Sequence, residues 1–161
     1  MRLKNICLLL LAAWLGAAVF FSVVVAPAAF SVLRMYQLPN SSEIAGAIVS
    51  RSLAAINLSG FCIGVLLLVM LFLRRKSGRR WELLLQFITI GVATLMCAIG
   101  EWVIAARMRA LRGTMILPID RLAQEDPGRI AFSELHRYSV MVLAVAMIAA
   151  LIGSLLLARE T

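Results

Sequence analysis

The stretch YSVMVLAVAMIAALIGSLLLA, Tyr138 to Ala158, runs for 21 residues without a charged side chain. As a helix rising about 1.5 Å per residue it covers about 30 Å, the thickness of a bilayer's hydrocarbon core. Working outward, three more uncharged runs follow the same rule: Asn5 to Leu33, Ser52 to Leu73 and Leu83 to Gly100. Backbone groups in lipid must be satisfied within the chain, and runs of this length do so as helices. The sequence therefore predicts an all-α membrane protein, a four transmembrane helix bundle with spans at about 5–33, 48–73, 82–106 and 133–158. These form a single domain over residues 1–161.

Composition agrees. The chain is 63% hydrophobic and 15% charged, with a mean hydropathy of +0.98, and this excludes an ordinary soluble domain, where about a quarter of residues are charged. The longest hydrophilic piece, Arg107 to Arg137, is too short to fold alone. Any function therefore sits in the bundle or on its rims. The net charge of +8 comes from basic residues that flank the spans. It points to lipid phosphates as partners and away from nucleic acid. A homo-oligomer or a membrane-protein partner is the other expectation.

The Ala26-Pro27-Ala28 sequence invites a rival reading of the first segment as a cleaved signal peptide. The uncharged run before it, Asn5 to Val25, is longer than a usual signal core, and apolarity continues to Leu33. We therefore expect the span to be retained. Both termini then share a side. The basic cluster Arg74, Arg75, Lys76, Arg79 and Arg80, crowded into one short connection, places that side in the cytoplasm. The expected location is the cell membrane, a bacterial inner membrane.

Pro27 should kink the first span, because it removes a backbone donor. Pro39-Asn40-Ser41-Ser42-Glu43 reads as a turn that starts the second helix beyond the membrane. The third helix should continue past its apolar core to Gly113. The outer loop is expected to form an interfacial helix within 113–130, closed by Pro127-Gly128. Small residues four apart, as in Ala12 and Gly16, Ala13 and Ala17, Ala146 and Ala150, and Ala149 and Gly153, favour close helix packing in lipid.

Glu101 is the outstanding polar position, six residues inside Arg107 at the end of an uncharged run. Arg34, Arg51, His136 and Arg137 share its rim by topology. Together with Glu101 they make the candidate ligand-binding cluster, of a kind suited to an anion or to proton-coupled work. The bland alternative is an interhelical ion pair with snorkelling arginines. Asn57 and Gln86 lie inside spans as structural hydrogen-bonders. Cys7, Cys62 and Cys97 have no ligand spacing, so no metal site and no cofactor are expected. With no phosphate loop, paired carboxylates, G-x-S-x-G or H-E-x-x-H, an enzyme is not indicated.

Trp14-Leu15-Gly16, Phe20-Phe21, Val25-Ala26-Pro27-Ala28-Ala29-Phe30 and Phe132-Ser133-Glu134-Leu135-His136 together carry a family likeness. The chain resembles the small multi-pass membrane family called domain of unknown function 4149, which includes transmembrane protein 205 of animals. The resemblance implies four membrane helices and no established activity, with Pro27 and His136 as positions of interest. The expected function is a non-enzymatic bundle that organises the membrane or supports a transporter or stress response. The alternatives are an oligomeric redox protein handling haem or copper, and a small transporter.

Overall fold

The computed structural model describes residues 2–37, 40–74 and 80–159. The first span is α1 (Arg2–Phe20), a π turn (Phe21–Val25) and α2 (Ala26–Met35); the second is α3 (Ser41–Arg74). The third is α4 (Arg80–Ala98), a second π segment (Ile99–Ala105) and α5 (Ala106–Thr114), and the fourth is α6 (Pro127–Arg159). Pro39 and the loop cations Arg75, Lys76 and Arg79 lie outside the described residues.

Among the described residues, four helices are long and apolar enough to cross a membrane: Lys4–Met35, Ser41–Leu73, Trp81–Thr114 and Pro127–Arg159, of 32, 33, 34 and 33 residues. Each is about 50 Å long at 1.5 Å per residue, well beyond the hydrocarbon core. Helical hydrogen bonding thus persists through the charged turns at the rims, and the second, third and fourth spans overrun the limits drawn from apolarity. This is a multi-pass, all-α membrane bundle.

The outer loop departs from expectation. In place of an interfacial helix it holds one 3₁₀ turn, Ile119–Arg121. Pro127-Gly128 opens α6 instead of closing the loop. The Asp126 Oδ1 accepts the backbone N–H groups of Gly128 (2.8 Å) and Arg129 (3.2 Å), and a proline fits the first helical position because its missing donor has no intrahelical partner there.

Neighbours in the ring follow chain order: α3 packs on α4, α4 on α6, α6 on α1, and α1 with α2 on α3. Glycines fix the register between α3 and the third span. A Cβ at Gly64 would collide with the Thr94 side chain, one at Gly60 with Trp14 and Cys97, and one at Gly100 would lie 3.1 Å from the Asn57 Nδ2. The numbers rise on one helix as they fall on the other, so the two run antiparallel. Trp14 ties the first span into this layer, its Nε1 donating to the Ile56 carbonyl at 2.9 Å.

Of the small-residue pairs, Ala146, Ala149, Ala150 and Gly153 are buried in the bundle, whereas Ala12, Ala13, Gly16 and Ala17 are exposed on its outer surface. The third span is the most enclosed, with 39% of its apolar window buried against 22% for the first. Polar groups on the third span are therefore the ones that most need partners inside the protein.

Candidate functional site

Both interrupted spans carry π turns, which widen the helix by an i→i−5 bond and recur at functional positions. In the first, the Ala26 N–H reaches back five residues to the Phe21 carbonyl. Pro27 follows immediately, with no N–H to offer the Val23 carbonyl, so the disturbance expected at this proline appears as a widened turn on its N-terminal side. No proline accounts for the second, Ile99–Ala105, and nothing in its sequence marks it. It contains Glu101.

The π segment determines what Glu101 meets. Residues eight apart on a regular α-helix stand about 80° apart around the axis. The wider turn takes up that offset, and the Arg109 Nη1 donates to the Glu101 Oε1 at 3.0 Å. The two ends of this ion pair are unequally placed, with 59% of the Arg109 side chain exposed against 14% of that of Glu101. The second oxygen, Glu101 Oε2, is buried and has no hydrogen-bond partner. A half-satisfied carboxylate in a low-dielectric layer is costly to maintain.

Two more polar side chains inside the bundle have no partner among the described residues. Asn57 is 3% exposed and lies over the bare backbone of Gly100, yet its amide makes no hydrogen bond. Ser139, on the buried stripe of α6, is 7% exposed and its hydroxyl likewise makes none. Other hydroxyls in the bundle behave differently: Thr94 donates to the Ile90 carbonyl at 2.7 Å and Ser154 to that of Ala150 at 2.9 Å. Their donors are satisfied on their own helices. Asn57 and Glu101 each lie six residues inside the nearest rim arginine, Arg51 and Arg107, at a depth of about 9 Å.

The remaining members of the sequence-derived cluster are not brought to Glu101. Arg34, Arg51, His136 and Arg137 are all exposed, and none makes a hydrogen bond or ion pair among the described residues. On α6 it is Ser139 that turns into the bundle, while His136 and Arg137 stand on its exposed side. Arg137 lines a shallow pocket of about 90 Å³ with Glu134, Tyr138 and Met141. Gln86 is fully buried. Among the described residues no three His, Cys, Asp or Glu side chains gather as a metal site.

Three residues at this rim have roles the sequence left unread. Arg112 pairs with Glu43 at the start of α3 and also donates to the Leu117 carbonyl at 3.0 Å. Arg129 donates to the Leu122 carbonyl at 2.7 Å. These arginines pin the outer loop by its carbonyls. Trp102, next to Glu101, meets Phe61 of α3 edge to face, with centroids 4.8 Å apart at 78°.

The family model of DUF4149, a domain of unknown function, matches residues 9–116, which is 108 of the 161. The chain belongs to the DUF4149 family. The matched segment of this DUF4149 protein contains Pro27, both π turns, Asn57, Glu101 and Arg109, and ends before α6 and His136. No curated protein and no solved structure matches the chain.

Proposed function

We propose that this DUF4149 protein is a non-enzymatic bundle of a bacterial inner membrane, its termini in the cytoplasm, that binds a ligand or membrane partner through the Glu101 layer. One observation carries the reading: the buried Glu101 Oε2 has no partner while Oε1 is held by a largely exposed arginine. A carboxylate kept only for packing would be matched on both oxygens or replaced by an apolar residue of similar volume. In this reading the bundle supports transport or a stress response as an accessory, among lipids, in an oligomer or beside a larger membrane protein, and needs no cofactor.

The test is Glu101→Gln in detergent-purified protein. The change gives up an ion pair worth at most about 1 kcal/mol, because one partner is more than half exposed. It also replaces the unpartnered carboxylate oxygen by a neutral amide group, which costs less to keep from water than a charged one. The variant should melt at or above the wild-type temperature while losing co-purifying lipid or protein. A melting point several degrees lower, with co-purification unchanged, would make Glu101 structural and end the proposal.

The metal- or haem-handling alternative draws support from the exposure of His136, which has no partner within the described chain and is open to the same residue of a second copy. An absorption spectrum and elemental analysis of the same sample decide it. Stoichiometric haem or copper that His136→Ala removes would put this reading first.

A further inference from the structure

Apart from the Glu101 layer, we infer that the crevice between the first span and α6 binds one phospholipid, its phosphoethanolamine headgroup at the rim and an acyl chain in the groove below. The crevice comes from how the helices part. α1 packs on α6, whereas the first π turn and α2 turn to α3 and leave α6. Along this divergence lies a groove of about 570 Å³, bounded by the first span from Ala12 to Val24 and by Leu151 and Ser154 of α6. Its lining is apolar but for Ser154, whose hydroxyl already donates to the Ala150 carbonyl at 2.9 Å. Nothing in the groove calls for a polar guest, so its occupant is hydrocarbon.

Its proportions select a chain over a helix. At about 1.5 Å per residue, Ala12 to Val24 covers about 18 Å, and 570 Å³ over that length is a mean cross-section of about 30 Å². One acyl chain fits that width; a helix of a second copy, about 10–12 Å across with its side chains, does not. The α6 wall continues the path to the rim. Met141, Ile148 and Leu151 are exposed and lie within about 40° of the direction of Arg137 around the helix. Arg137 stands fourteen residues, about 21 Å, above Leu151, and one leaflet with its headgroups is about 20–22 Å thick. A lipid whose phosphate meets Arg137 therefore ends its tail at the groove.

The rim supplies the charges. Arg137 and Glu134 line one shallow pocket with Tyr138, and neither makes a hydrogen bond or ion pair among the described residues. A guanidinium matches a phosphate, and a carboxylate matches an ammonium that still carries N–H donors. Phosphoethanolamine presents both groups together. The headgroup of phosphatidylglycerol has no cation to offset Glu134, and that of phosphatidylcholine has no N–H to donate. Pairing with a lipid phosphate is also the ordinary use of an arginine at a membrane interface.

The test is native mass spectrometry of the full chain in mild detergent, titrated with phosphatidylethanolamine, phosphatidylcholine or phosphatidylglycerol of the same acyl chains. We expect one saturable phosphatidylethanolamine per chain, with the other two lipids binding at least tenfold more weakly. Arg137→Gln should weaken binding at least tenfold, and Glu134→Gln should erase the preference over phosphatidylglycerol. Gly16 lines the groove and a Cβ there meets nothing within 4 Å, so Gly16→Leu should abolish the adduct at an unchanged melting temperature. Binding without headgroup preference would make the groove ordinary lipid-facing surface and overturn the inference, as would an adduct that survives both Arg137→Gln and Gly16→Leu. A wild-type dimer that Gly16→Leu converts to monomer would also overturn it and assign the groove to a second copy. If Gly16→Leu does not fold, the exposed changes Arg137→Gln and Glu134→Gln still decide.

Discussion

Gly60 is the position where one methyl group probes three helices at once. An alanine Cβ there would lie 2.6 Å from the Cε2 and Nε1 of Trp14 and 2.7 Å from the Cys97 Sγ. Neither neighbour can retreat: both are buried, and the Trp14 indole is pinned by its 2.9 Å bond to the Ile56 carbonyl. Overpacking of this kind costs about 1–3 kcal/mol. Dislodging the indole from its acceptor adds about 1 kcal/mol. The intrinsic helical preference of alanine over glycine returns up to about 1 kcal/mol, so Gly60→Ala should destabilise by about 1–3 kcal/mol.

Gly16 supplies the control, because a Cβ there meets nothing within 4 Å. Gly16→Ala should be neutral or stabilising by up to about 1 kcal/mol. Thermal unfolding of both variants in one detergent compares them directly. Combining Gly60→Ala with Trp14→Phe should cost less than the sum of the two, because the shorter ring gives way. A Gly60→Ala protein that melts with Gly16→Ala would refute the packing of Trp14 between the first span, α3 and α4.

Other expectations are simpler. Asp126→Ala should destabilise by about 1 kcal/mol through loss of its cap to Gly128 and Arg129, seen as faster hydrogen exchange in the first turn of α6; unchanged protection there would refute the cap. A double-mutant cycle on Glu43 and Arg112, whose side chains are 41% and 28% exposed, should give a coupling of no more than about 1 kcal/mol that fades with added salt. A coupling indifferent to salt would contradict the exposed placement.

The four spans were legible because lipid tolerates no interruption of apolarity in a helix that faces it, and Glu101 stood out for the same reason. Its partner was not legible. Arg109 lies eight residues on, a spacing that a regular helix turns away from Glu101, and only the π segment restores the alignment. The cluster of Arg34, Arg51, His136 and Arg137 followed from sharing a rim, but a common depth does not bring side chains together when each stands on the exposed side of its helix. Pro127-Gly128 alone reads as a stop because proline and glycine punctuate loops; with Asp126 placed first, the same letters begin a helix. The small residues of α1 had the spacing of a packing face, yet spacing alone does not say whether protein or lipid lies opposite.

The second π segment amounts to a helix holding one residue more than its length requires. A single-residue deletion within Ile99–Ala105 would absorb the surplus and leave α5 where it stands, whereas straightening the segment with all its residues would rotate everything beyond it by about 100°. Such a rotation would part Arg109 from Glu101 and, three residues later, Arg112 from Glu43. The two ion pairs, one in the membrane and one at its surface, are therefore set by a single phase of the same helix, so a change felt at Glu101 is transmitted to the tether of the outer loop.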